Sequence, residues 1–281
     1  MAIERKDLPI IEFLGLTLAI SSLFYAPILM SGHVGGGAGH YVGGLMWSPA
    51  LAAFLTAWRH RLSREALGLG WGGNRFALLA YLLPIGYGLL AYGLVWSLGL
   101  GGFPNPAAIS ALTRKLGWES IQSPLLFVPL YFLFIGTTAM ITSLAHALGE
   151  EIGWRGFLAP RLAERVGFTG GALITGVIWT AWHLPILLFA DYNAGTPWWW
   201  GMPCFAVMVI GLSVILTWLR LKSASVWPCA ILHASHNLFI QGFFTPLTEA
   251  RGNATAYAID EFGWALPAVI LLFAAACWRR R

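Results

Sequence analysis

Eight long apolar runs dominate the sequence and leave little room for any other kind of fold: 8–30, 41–58, 76–98, 124–149, 172–190, 202–219, 224–244 and 262–278. Each approaches the roughly 20 residues that a helix needs to cross about 30 Å of hydrocarbon. A backbone in lipid must satisfy its own N–H and C=O groups, and these runs are too long for barrel strands, so each reads as a helix. Apolar residues make up 58% of the 281 positions and charged residues 10%, against about 25% charged in a soluble domain. So few charges cannot cover a water-facing surface. The expected fold is all-α, a polytopic membrane protein with a bundle of about eight transmembrane helices in a single transmembrane domain, 1–281.

The connecting segments orient the bundle. The net charge is +5, but the basic residues sit at the ends of apolar runs rather than in one patch with interleaved aromatics. That argues against a nucleic-acid partner and for lipid as the constant one. With both termini cytoplasmic, fourteen of the 17 Lys and Arg residues fall on the inner side, among them Arg5, Lys6, Arg155 and Arg279. Only Arg114, Lys115 and Arg251 lie outside, which is the positive-inside pattern of a multi-pass protein of the plasma or inner membrane. The first run is longer than a signal-peptide core and no small-x-small cleavage site follows it, so it reads as a retained helix. Cys204, Cys229 and Cys277 lack paired spacing and read as small buried residues. Asn105 is predicted to cap a short interfacial helix that starts at Pro106. The stretch 160–166 reads as an elbow on the inner side, and the glycine-rich 31–44, with His33 and His40, as a solvated loop.

Ionisable groups inside a bilayer are costly, so those present call for a reason. They are Glu12, His146, Glu150, Glu151, His183, His233 and His236, with Asn237 and Gln241 as neutral company. Glu12 is one turn into the first helix and reads as structural. Glu150, His183 and His233 lie on three different helices, eleven or twelve residues from their inner ends. At 1.5 Å per residue each is about 16–18 Å deep. Such agreement predicts one site, and counting from the inner ends predicts that it opens towards the cytoplasm. Glu151 and Arg155 are spaced i,i+4 and can pair on one face. Glu150 is turned about 100° away and left free for chemistry. His233 and Asn237 share a face, where two donors one turn apart can hold an oxyanion. His146, one turn before Glu150, is a candidate partner for it, whereas His236 reads as an interhelical hydrogen-bonding residue.

These groups suit attack of water on a carbonyl. A carboxylate in a dry site makes a general base, with a histidine to orient the water. Glu150, His183 and His233 are also a two-histidine, one-carboxylate set of the kind that ligates catalytic zinc. The residues alone leave both versions open. Neither Gly-x-Ser-x-Gly nor His-Glu-x-x-His occurs.

The three motifs resemble those of the CAAX protease and bacteriocin-processing family, also called the Abi family, which includes the Ras-converting CAAX endopeptidase. Glu-Glu-x-x-x-Arg corresponds to Glu150, Glu151 and Arg155, aromatic-x-x-x-His to Trp179 and His183, and His-x-x-x-Asn to His233 and Asn237. Phe is the more usual aromatic in the second. The likeness covers about 115–245, the motif-bearing core. It implies an intramembrane endopeptidase, metallo- or glutamate-type, in which Glu150 activates water with help from His183. His233 and Asn237 would support the oxyanion, and Glu151 with Arg155 would brace the site. The implied substrate is a membrane-associated protein or peptide, with a CAAX-type prenylated one in view. The competing expectations are an ion-coupled transporter, which also buries Glu and His at mid-membrane, and a non-catalytic scaffold or immunity protein.

Overall fold

The computed structural model describes residues 7–121 and 123–281, with only the backbone of Ala38, so Arg5 and Lys6 lie outside the described residues. The helices are α1 (Leu8–Ser31), α2 (Gly39–Arg59), α3 (Asn74–Ser97), α4 (Pro106–Leu116), α5 (Pro124–Phe134), α6 (Met140–Glu151), α7 (Ala159–Phe189), α8 (Trp198–Ser223), α9 (Trp227–His236) and α10 (Ala265–Arg279). Two two-residue strands, β1 (Gly101–Gly102) and β2 (Glu249–Ala250), pair antiparallel beyond the ends of α3 and α9. The chain is an all-α polytopic membrane protein. Its outward surface is apolar, with Leu23, Leu125, Ile141 and Leu272 each at least 70% exposed. Residues of this kind gain nothing from facing water and are at home against lipid tails.

Among the described residues, four helical stretches are long and apolar enough to cross a membrane: Leu8–Ser31, Asn74–Ser97, Pro124–Phe189 and Trp198–Ser223. The third runs for 66 residues and holds two of the expected spans. Inside it the chain breaks at Val166 and Gly167, where Gly167 takes φ +73°. A residue without Cβ adopts that conformation at little cost. The elbow expected at 160–166 is therefore realised at its far edge. The expected span 224–244 is a ten-residue α9 continued by a π-helical stretch, Asn237–Phe244. The expected 262–278 is the 15-residue α10, about 22 Å long. Residues 262–264 are spent instead on a turn that brings Asp260 and Glu261 back towards the bundle. The cap of α4 is as predicted: Asn105 Oδ1 accepts from the N–H groups of Ala107 and Ala108 at 3.1 and 3.2 Å.

The helices run between two unlike ends. At one, Arg59 pairs with Glu12 at 3.0 Å, Arg165 with Asp7, and the Val226 N–H donates to Gly68 O. At the other, Asn105 N–H donates to Leu247 O and Thr255 Oγ1–H to Leu100 O. Glu12 also meets His60 at 2.9 Å, in the structural role expected of it. Arg155 departs from expectation. It was counted among the inner-loop cations, but it is fully buried on Glu151. A cation neutralised inside the bundle carries no orientation signal.

One close approach sets the geometry around the motif residues. A Cβ built on Gly149 would lie 2.7 Å from Met46 O, and one on Gly153 would lie 2.3 Å from the Pro49 Cβ. These glycines flank Glu150 and Glu151 and let α2 press against α6, as small residues do between membrane helices. Gly153→Val is expected to cost about 1–3 kcal/mol through overpacking, seen as a lower thermal midpoint in detergent. Gly15→Ala, where the added carbon meets nothing within 4 Å, is expected to leave the midpoint unchanged.

Candidate active site

Trp179, on α7, ties the first two motifs together. Its indole Nε1–H donates to Glu150 Oε2 at 2.8 Å, and its carbonyl accepts from His183 Nδ1 at 2.9 Å. The Arg155 guanidinium carbon lies 4.2 Å from its ring centroid, and the His233 ring meets it nearly edge-on at 5.3 Å. A Phe in this place would keep the ring contacts and lose the donor to Glu150. The variant aromatic in the second motif thus has a physical effect that spacing alone did not disclose.

Behind this ring lies a shared carboxylate. Glu151 Oε1 accepts from Arg155 Nη1 at 2.9 Å and from His233 Nδ1 at 2.9 Å. Glu151 and Arg155 are both fully buried. A buried charge pair of this kind is worth having only where its removal would strand the partner. The i,i+4 pairing predicted for Glu151 and Arg155 is present, and the contact to His233 adds a link from α6 to α9. With Nδ1 committed to Glu151, His233 has its Nε2 for other work. His183, committed to Trp179 O through Nδ1, is left in the same condition.

The local backbone is unusual on both sides. A π-helical stretch, Ile152–Leu158, begins directly after Glu151, and another begins at Asn237. Such widened turns are rare and are frequently found at functional sites.

Glu150, His183, His233 and Asn237 line one cavity of about 260 Å³, together with Trp179. Its remaining walls are mostly apolar, from α2 (Val42, Leu45, Met46) and α8 (Phe205, Met208, Val209, Leu212). Four of the six predicted site residues therefore converge on one space, while Glu151 and Arg155 sit behind it. The cavity runs from the motif residues towards one end of the bundle. From Glu150 and His233 it extends to Val34, Tyr192, Gln241 and Glu261, which belong to the end with few basic residues. Counting residues from the helix ends says nothing of which side of the polar residues is hollow.

His146 is absent from the cavity lining; its ring lies against Gly43 of α2. His236 is buried and bonded, with Nε2–H donating to Glu261 Oε1 at 3.0 Å and Nδ1 accepting from Tyr87 Oη–H at 2.6 Å. Glu261 and Tyr192 were missed because they lie outside the apolar runs, where an acid or a phenol attracts no notice. Near the far end, His33 is solvent-exposed as expected and also pairs with Asp191 at 2.9 Å, and Asp191 accepts the Val34 N–H at 2.8 Å. That backbone bond and the imidazole hold the Asp191 carboxyl below its usual range.

The zinc set Glu150, His183 and His233 can be tested on this geometry. The donor types suit the metal, but among the described residues no three His, Cys, Asp or Glu side chains gather closely enough to hold an ion. No step is therefore derived through a metal.

Residues 132–239 match the model of a family described as type II CAAX prenyl endopeptidase Rce1-like. The match contains all three motifs and every predicted site residue. The chain is also 29% identical over 119 residues to a protein named CAAX prenyl protease 2 from Methanococcus maripaludis, a match covering 40% of this chain and 40% of that protein. The chain thus spans about two fifths of the length of the curated relative it matches. Over the matched segment, which carries the motif residues brought to one cavity, the chain is similar to the CAAX protease family.

Proposed function

We propose that the protein is an intramembrane endopeptidase in which Glu150 activates a water molecule held between its carboxylate and His183. The observation that carries this reading is the convergence of Glu150, His183, His233 and Asn237, from separate helices, on one cavity. Glu150 Oε2 is oriented by the Trp179 indole, leaving Oε1 to take a proton from water. His183 Nε2 accepts the second hydrogen and aims the oxygen at the scissile carbonyl. The resulting oxyanion is met by His233 Nε2–H and the Asn237 amide, donors directed at charge that exists only in the transition state. Collapse of the intermediate breaks the C–N bond, and Glu150 returns its proton to the leaving amine.

Charge balance supports the protonated form of His233. With that proton, Glu150, Glu151, Arg155 and His233 sum to zero, whereas a neutral imidazole would leave a net negative charge in a medium that penalises it strongly. Glu151 and Arg155 serve as braces for His233. The apolar walls from α2 and α8 suit a substrate that arrives from lipid, a membrane-associated protein or peptide. The name of the archaeal relative and the family description point to a prenylated CAAX sequence as the one to try first. We place both termini on the cytoplasmic side, where the basic helix ends favour them.

Purified protein in lipid nanodiscs, incubated with a farnesylated CAAX peptide, is expected to release the carboxy-terminal fragment, detected by mass spectrometry. Glu150→Gln should lower the rate by about 10²–10⁴-fold and Asn237→Ala by about 10²–10³-fold, with folding intact in both. Cleavage at the wild-type rate by Glu150→Gln would remove the base from the mechanism. Proton-coupled flux in proteoliposomes without any cleavage would favour the carrier reading, and a cellular phenotype that survives joint loss of Glu150 and His183 the scaffold reading.

Cleavage is expected to persist after exhaustive treatment with a zinc chelator. Stoichiometric zinc by element analysis, lost in His183→Ala together with activity, would replace the glutamate mechanism with a metal-ligand role for the same residues.

A further inference from the structure

The cavity has a second polar centre that none of the three motifs contains. Glu261, only 3% exposed, enters from the turn before α10 and lines the space across from Glu150. Both of its oxygens are occupied: Oε1 accepts from His236 Nε2–H at 3.0 Å, and Oε2 accepts from the Tyr192 phenol at 2.8 Å. Gln241 Nε2–H donates to the same phenol oxygen at 3.3 Å. With a partner on each oxygen, Glu261 organises its neighbours.

What it organises is Tyr192. The tyrosine follows α7 on an irregular segment, which by itself would not fix a side chain. Its ring lies near-parallel to that of His183, 22° between planes and 6.3 Å between centroids. His183 is otherwise bounded by Trp182 at 4.9 Å and Phe205 at 5.1 Å, both edge-on, and by the tilted ring of Trp179 at 5.9 Å, so Tyr192 is the one near-parallel ring against it. Its one hydrogen bond to protein, through Nδ1 to Trp179 O, fixes a point but not the tilt of the ring. Tyr192 supplies the face that sets the tilt. Burying a carboxylate and an imidazole together is costly, and ordering Tyr192 gives that cost a use.

We infer that Tyr192, held by Glu261 and His236, is a positioning residue that sets the orientation of the His183 imidazole for catalysis. The inference rests on the peptidase reading above, in which His183 aims the attacking water. Groups that aim a nucleophile act on the chemical step, so loss of this clamp falls on kcat and leaves KM nearly unchanged.

The test compares single and double variants with the farnesylated CAAX peptide in nanodiscs, each variant first checked for a monodisperse folded state. Tyr192→Leu, which removes the ring, is expected to lower kcat by about 10- to 100-fold, the size of effect produced by misplacing a reacting group. Tyr192→Phe keeps the ring but not the anchor and should fall between wild type and Tyr192→Leu. Glu261→Ala should match Tyr192→Phe, and Glu261→Gln, which can still bond to the phenol, should recover most of the lost rate. The double variant Glu261→Ala with Tyr192→Phe should be no slower than the worse single one, because both break one link. A folded Tyr192→Leu protein with wild-type kcat, or losses that multiply in the double variant, would overturn the inference and leave the peptidase reading in place. A wild-type protein that cleaves nothing would overturn both.

Discussion

A charge cannot be left alone in the interior of a membrane protein, and the centre of this molecule is built around that constraint. Glu151 is the pivot. One of its oxygens accepts from both Arg155 and His233, so a cation on its own helix and an imidazole from α9 are fixed by a single acceptor. The arrangement explains why the motif needs two adjacent carboxylates. Consecutive helical positions point about 100° apart, so Glu151 faces inward to the brace while Glu150 faces the cavity. Trp179 closes the set by giving its ring to Arg155 and its N–H to Glu150. Removing any of these leaves a buried polar atom without its partner, which costs more than the contact itself gains.

The space around this centre is shaped by what α6 lacks. Gly149 and Gly153 allow the backbone of α2 to lie where side chains would otherwise be, and this brings Leu45 and Met46 to the cavity wall. Across from them, the first half of α8 contributes its own apolar face. The result is a chamber with polar ends and greasy sides. Mostly apolar walls with a few convergent polar groups are the usual make-up of a binding cavity.

Much of this was legible in the residues. Every expected apolar run falls on a helix, and the i,i+4 logic placed Glu151 on Arg155. The pairing holds even though Arg155 lies in the π-helical stretch Ile152–Leu158. The misses lie where tertiary contacts decide. Arg155 was mistaken for a loop cation because its charge was counted and its partner's burial was not. Glu261 and Tyr192 escaped because a polar residue outside an apolar run has no apparent cost in sequence. Their burial comes from a turn folding back between helices, a tertiary event with no local signature. The hollow side of the site was equally silent, since it depends on which side chains happen not to fill the gap between α2 and α8.

Asp191 and Tyr192 are adjacent, yet they reach in opposite directions. Asp191 grips the backbone of the glycine-rich loop at Val34, while Tyr192 lies over the imidazole of His183. Consecutive Cα atoms are only about 3.8 Å apart, so a displacement of that loop has one peptide unit in which to dissipate before it reaches the ring packed on His183. The glycine-rich loop and the imidazole at the cavity are thus joined through one short stretch of backbone beyond the end of α7.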